Sequence, residues 1–314
     1  MLIYTLIRTL TQYLFVVLMA PLFAGIIANL KAKVESRKGP SIFQPYYDIF
    51  KYMKKQVLIP RGSGLIFKYA PFILFGIYSL IALIVPIVIP EPVFFTASAD
   101  FLGGAILFSL AAFVKIAAAF DSRSNFTAMG AVRALSFNFL SEATLITVFF
   151  AVSLITNTNN PYTTNSFLAT HYIQNISLEH IFATIAFFML FLYETGKIPL
   201  ESSGLAELGM IDEGMSYEYS GKLLSLSKWS GYMKQYILGA IFLNVFFIPW
   251  GLQSSFPGFL LDIPVMFLKW ILLIVIVVII ETTFAKMRLF RIQDYLATSF
   301  TFSILFLIFS VVIA

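Results

Sequence analysis

ILLIVIVVII, residues 271–280, is a run of ten apolar side chains with no polar position on any face. A strand of a membrane barrel alternates apolar and polar residues, because one face meets lipid and the other the lumen. This run does not alternate. In hydrocarbon every backbone N–H and C=O must be satisfied within the element, so a helix is the spanning element that remains.

Outward from this core the apolar character extends over about 263–284, and roughly 20 residues suffice for a helix to cross the bilayer. The same criterion marks seven more segments, at about 2–30, 66–90, 99–120, 134–156, 179–195, 229–252 and 292–313. The expected fold is an all-α integral membrane protein of eight transmembrane helices, forming a single transmembrane domain over residues 1–314. Composition agrees. With 59% hydrophobic and 12% charged residues among 314, a soluble domain would lack the polar surface to cover itself. The first segment has no convincing small-residue cleavage site before Lys31, so it reads as a retained helix and not as a signal peptide.

Cationic residues set the orientation, because positively charged loops resist translocation. Seventeen of the 21 lysines and arginines fall in or beside the first, third, fifth and seventh connections, and the even connections carry none. The odd connections are therefore expected in the cytoplasm and both termini on the extracytoplasmic side, with Arg8 the one mild disagreement. These loops account for the pI near 9.2, and no base-reading fold accompanies it, which excludes nucleic acid as a partner. The absence of cysteine excludes an iron–sulfur cluster, a thiolate zinc site and a disulfide within this chain. His171 and His180 lack companion carboxylates at a metal-ligand spacing and read as surface histidines.

Two odd connections are long. In the first, Ile42, Phe43, Tyr46, Ile49, Phe50, Met53 and Val57 recur at helical spacing while Asp48, Lys51, Lys54 and Lys55 point elsewhere. This predicts an amphipathic helix lying in the membrane interface, serving as a headgroup anchor or as a surface for a docked subunit, approached through the turn Lys38-Gly39-Pro40. In the other, residues 193–222 concentrate Glu194, Glu201, Glu207, Asp212, Glu213 and Glu218. Asp212, Glu213 and Glu218 suit either a solvated face or a functional site. Glu194 closes an apolar segment, and Lys115, Glu142, Lys234 and Glu281 also lie in spans. Ionisable groups at such depth usually face a protein interior or a wet path. They can be structural pairs that fix helix packing. Their number and alternating sign favour coupled acids and bases that pass charge along as each neighbour titrates. Glu281 and Arg288, seven residues apart, are expected on one helix face. Hydrolase, metalloprotease and nucleotide-binding motifs are missing.

Three stretches carry a resemblance: NLKAKVESRKGPSIFQPYYDIFKYMKKQ (29–56), SRSNFTAMGAVRALSFNFLSEATLI (122–146) and YETGKIPLESSGLAELGMIDEGMSYEYSGK (193–222). In order and spacing they resemble the signature segments of the NADH dehydrogenase subunit 1 family, the H-type membrane subunits of respiratory complex I. SKWSGYMKQ (227–235), FIPWG (247–251) and ETTFAKMRLFRI (281–292) are similar to its membrane-bound [NiFe]-hydrogenase branch, the group of formate hydrogenlyase subunit 4 and hydrogenase-4 component C.

The resemblance implies a non-catalytic coupling subunit of an ion-translocating redox complex. It would join a peripheral arm, made of a hydrogenase large subunit and a small iron–sulfur subunit, to antiporter-like membrane subunits. It implies no cofactor in this chain, a [NiFe] centre and iron–sulfur clusters in partners, and quinone as an optional acceptor. The relay would comprise Lys115, Glu142, Glu194, Glu201, Glu207, Asp212, Glu213, Lys234, Glu281 and Arg288. Arg37, Lys38, Gly39, Pro40, Gln44 and Arg133 would meet the arm.

Where complex I relatives carry Pro-Phe-Asp-Leu-Pro-Glu-Ala-Glu, this chain has Pro199-Leu200-Glu201-Ser202-Ser203-Gly204-Leu205-Ala206-Glu207, with later acids missing or displaced. That difference argues against a quinone chamber built here and makes a quinone-site component of a complex I-type oxidoreductase the alternative. A stand-alone secondary transporter is a further alternative. It would be expected to show broken helix pairs and an internal repeat, which the sequence lacks.

Overall fold

The structure, a computed structural model, describes residues 2–89, 99–170, 178–198, 211–252, 259–285, 287–288 and 290–313. Each apolar segment expected to span forms a helix: α1 (Leu2–Val34), α3 (Leu65–Ile84), α4 (Phe101–Asp121), α5 (Asn125–Thr156), α7 (Leu178–Glu194), α8 (Gly221–Ile241), α9 (Phe259–Thr283) and α10 (Arg291–Ile313). Two short helices join them, α2 (Gln44–Met53) in the first long connection and α6 (Pro161–Thr170) after α5. Among the described residues six helices, α1, α3, α4, α5, α9 and α10, are long and apolar enough to cross a membrane by themselves.

The other two differ for physical reasons. The α7 helix has only 17 described residues. The α8 helix carries Lys222, Lys228 and Lys234, but it lies inside the bundle, where its last two turns, residues 235–241, are buried. It packs on α1, α2 and α3, and it continues into a π-helical turn, Phe242–Phe247. On the other side α10 lies against α5 and α7, and α4 bridges α5 to α3.

Helix ends are set by local chemistry. Asp100 caps α4 by accepting from Leu102 N at 2.9 Å, and Asp121 at the other end of α4 accepts from Phe67 N at 2.9 Å, capping the neighbouring α3. The α6 helix opens on Asn160-Pro161, with the Asn160 side chain accepting from Tyr162 N at 3.0 Å and proline at the first turn, where its missing N–H costs nothing. The α5 helix starts at Asn125, ahead of the expected 134, so Arg133 sits on a helix and not in a loop.

Aromatic packing locks α9 onto α8. Tyr236 and Trp270 stack with ring centroids 4.8 Å apart, and Phe23 of α1 sits 4.8 Å from the same indole. Gly239 makes room for it, since a Cβ there would lie 2.4 Å from the Trp270 ring.

The α2 helix buries Pro45 and Ile49 against the bundle, and Ser225 of α8 donates to Ile49 O at 3.0 Å. Phe43, Tyr47 and Phe50 are exposed. The apolar residues read from the sequence as one face are therefore divided, with Ile49 inward and Ile42, Phe43 and Phe50 outward.

Candidate functional site: a row of charges across four helices

Glu194 is the last residue of α7. Gly196 follows in the left-handed region at φ +64, and the Lys197 N–H bonds back to Leu192 O at 2.7 Å, closing the helix with a Schellman turn. The turn leaves the Glu194 carboxylate pointing at α8, where Lys234 Nζ meets Oε2 at 2.5 Å with both side chains about one-fifth exposed. Glu194 also lines a small cavity with Glu142 of α5, walled by Phe108, Ser109 and Ala112 of α4, Leu145 of α5 and Leu238 of α8. Each helix contributes through its own repeat: Phe108, Ala112 and Lys115 share one face of α4, and Lys234 and Leu238 one face of α8.

Past Ala112, the α4 face ends in Lys115, whose ammonium donates to Asp212. Met215, buried among Ile116, Ala119, Ala131 and Ala134, pins this loop to α4 and α5 and so places Asp212. Asp212 stands at the solvent edge, its side chain 65% exposed. The protein on its inner side would raise its carboxyl, but the Lys115 and Lys234 ammonium groups outweigh this and hold the group below the ordinary carboxylate range. The Tyr78 phenol lies within electrostatic reach of Lys234, and Tyr193 OH donates to Asn138 Oδ1 at 3.1 Å beside the same groups. Lys115, Asp212, Lys234 and Glu194 thus form one row of alternating sign that ends on a second acid, Glu142, across four helices and one loop.

Glu281 stands apart. Lys31 Nζ of α1 reaches its Oε1 at 3.2 Å, while Oε2 is buried with no hydrogen-bond partner. Lys197 is electrostatically coupled to both; burial pushes its ammonium below the ordinary lysine value, opposed by Glu281 and reinforced by Lys31. Arg288 is not on the Glu281 face, contrary to the seven-residue spacing, because α9 ends at Thr283 and Arg288 lies exposed beyond it. The Thr282 and Thr283 hydroxyls bond back to Val278 O at 2.7 Å and Ile279 O at 2.5 Å, competing for the last-turn carbonyls. Lys31 fills the place expected for the arginine.

Glu213 is exposed. Glu201, Glu207 and His171 lie outside the described residues. Of the expected docking residues, Arg37 is exposed with only a 3.8 Å contact to Glu35, and Lys38 is exposed. Gly39 and Pro40 are folded against α1, where Asn29 donates to Pro40 O at 2.6 Å. Gln44 turns to Asp48 at 3.0 Å within α2, and Arg133 is half-buried on α5. Among the described residues no group of three or more His, Asp or Glu could hold a metal ion.

The sequence reading missed two groups. Lys269 lies inside the apolar segment 263–284, where the criterion that marked Lys234 also applies. His180, read as a surface residue, is half-buried, and its Nε2 meets Phe246 O at 2.7 Å.

Comparison with known proteins gives consistent results. The family described as NADH dehydrogenase matches residues 7–313. Hydrogenase-4 component C of Escherichia coli (strain K12) is 30% identical over 98% of this chain and 96% of its own length. Formate hydrogenlyase subunit 4 of the same organism is 30% identical over 89% and 90%. The H-type subunit of the NADH-quinone oxidoreductase of Rubrobacter xylanophilus is 26% identical over 85% and 82%. In fold, a chain in the structure of the membrane-bound sulfane sulfur reductase, an archaeal respiratory membrane complex, superposes with a TM-score of 0.80 at 21% identity, over 98% of this chain and 99% of that one.

Proposed function

This chain belongs to the NADH dehydrogenase family, and on that premise we propose that it is the membrane-anchoring and coupling subunit of an ion-translocating redox complex of the membrane-bound [NiFe]-hydrogenase type. It is a multi-pass membrane subunit of a redox complex. Within that role all eight long helices span the cell membrane, α2 lies in the cytoplasmic interface, and both termini are extracytoplasmic. The partners are a peripheral large subunit with its small iron–sulfur subunit and antiporter-like membrane subunits. Metal and cluster chemistry belongs to the partners; this chain contributes charge.

The observation that carries the reading is the row from Asp212 to Glu142. It starts on a loop at the end of the bundle expected to face the arm, and it runs through the Lys234–Glu194 pair to an acid beside a cavity between helices. A redox event in the arm that shifts the charge of the 194–218 loop changes the field at Lys115 and Lys234. Glu194 and Glu142 respond by exchanging protons with their surroundings, which biases ion movement in the neighbouring subunits. Around the Lys234–Glu194 pair, where little solvent enters, interactions between charges are strong enough to couple them over several ångströms.

Glu142→Gln and Glu194→Gln, whose amide oxygen still accepts from Lys234, should therefore leave the complex assembled and slow its coupled turnover by about tenfold, a barrier increase of ~1.4 kcal/mol. Glu201→Gln should behave alike. The measurement is ion uptake by proteoliposomes beside electron transfer in detergent, and normal pumping in all three variants would reject the relay. The likeness to the NADH-quinone oxidoreductase relative supports a second reading, a quinone-site subunit; stoichiometric reduction of a quinone analogue by purified complex would favour it.

A further inference from the structure

A second buried polar set lies farther along α9, and the relay does not use it. Lys269 is twelve residues before Glu281, about 18 Å away along the axis at 1.5 Å per residue, and it is 5% exposed. Its ammonium donates to Ile248 O at 2.8 Å and to Asn244 Oδ1 at 3.1 Å. Both acceptors belong to the end of α8, where the π turn stops and the chain leaves the helix. Carbonyls at such an end have no intrahelical partner, and His180 Nε2–H takes another of them, Phe246 O, at 2.7 Å. Asn244 Nδ2 donates to Ile87 O at 2.9 Å, which fixes the amide with its oxygen toward Lys269. Asp262, one heptad earlier on α9 and fully buried, acts on Lys269 through space, and Glu179 beside His180 is also buried.

Capping alone does not account for these residue types. A hydroxyl or amide satisfies helix-end carbonyls without burying a cation, which is costly at membrane depth. The hydrogen-bond count is also informative: an ammonium has three N–H donors and a neutral amine two, and the structure supplies two acceptors, both uncharged. The site therefore keeps its hydrogen bonds when the proton leaves.

We propose that Lys269, with His180 bonded to the same helix end two residues away, is a proton-exchange site of this chain past the midpoint of α9, on the side away from Glu281. The Nζ–H bond breaks, its electron pair stays on Nζ, and the proton passes to water on the extracytoplasmic side; the Nζ–H bond re-forms with a proton drawn from the cytoplasmic side. This assigns the chain a proton route of its own, beyond the charge signal it passes to partners.

The test uses the whole complex in liposomes with an entrapped pH dye, driven from a reduced viologen, with protons moved per electron pair as the readout. Lys269→Gln keeps N–H donors for both acceptors but carries no exchangeable charge. Lys269→Arg keeps the cation but cannot release its proton at any working pH. Both are expected to lower the ratio at least twofold with electron transfer in detergent retained, and His180→Gln, which still donates to Phe246 O, is expected to lower it also. A full ratio in either assembled Lys269 variant overturns the inference; if neither assembles, the His180→Gln ratio decides it on the same terms. A full ratio in these variants with a lowered one in Glu194→Gln removes this site and leaves the relay standing.

Discussion

Glu194 and Lys234 hold opposite charges 2.5 Å apart with little solvent around them, so removing one partner is not equivalent to removing both. Lys234→Met leaves a carboxylate uncompensated, which costs on the order of 3 kcal/mol for a buried pair, and should lower the yield of assembled complex. The double change Lys234→Met with Glu194→Leu should restore assembly but not coupling, as read by complex yield on native gels and by ion uptake; recovery of both would make the pair a packing device. Asp212 makes a prediction in pH. Its folded carboxyl titrates below the ordinary value, so the stability it lends is present above about pH 4, the unfolded value, and is lost as pH falls through the lower folded value. Hydrogen-exchange protection in residues 211–218, taken relative to the intrinsic rate at each pH, should therefore fall below about pH 4 in the parent, and Asp212→Asn should show that lower protection already at neutral pH. Lys115, Glu142, Glu194 and Lys234 were legible in the sequence because a charge inside an apolar run stands out. Their partners were not, because Lys115 and Asp212 are 97 positions apart and Lys31 and Glu281 are 250 apart, and only packing joins them.

At the scale of elements, the contact of α8 with α9 rests on a missing side chain. A methyl at Gly239 would fall 2.4 Å from the Trp270 ring, which Tyr236 and Phe23 hold in place. Gly239→Ala should destabilise by about 1–3 kcal/mol as an overpacked core position, seen as a lower midpoint of thermal inactivation in detergent, and Trp270→Phe should relieve part of the loss. An unchanged midpoint would mean that the two helices separate freely. Helices were legible wherever apolar length decides them. The early start of α5 and the α6 helix were not, because segments of only a few residues set them. The end of α9 at Thr283 falls where the apolar run stops, and it removed Arg288 from the predicted face. The α2 helix shows the reverse case: its period was plain, but neighbours on α1 and α8 determined which apolar residues turned inward.

For the whole molecule, charge sorts the two ends of the bundle. Arg37 and Lys38 stand exposed at the end expected to meet the arm. Replacing both with Ala should leave the fold unchanged and release peripheral subunits during detergent purification, more so at high salt, since exposed pairs are screened; an intact complex under those conditions would contradict the docking role. Composition, length of apolar runs and the loop-by-loop count of lysine and arginine determined a helical membrane protein, its helix boundaries to within a turn at most ends, and a set of buried charges, because each of these follows from the cost of placing polar atoms in hydrocarbon. Tertiary structure alone decided which charges meet. The row of charges, the separate Lys31–Glu281 pair and the placement of Lys269 on Ile248 O and the Asn244 amide at the end of the π turn all depend on helix contacts between residues far apart in the chain, and no local pattern encodes a distance of that kind.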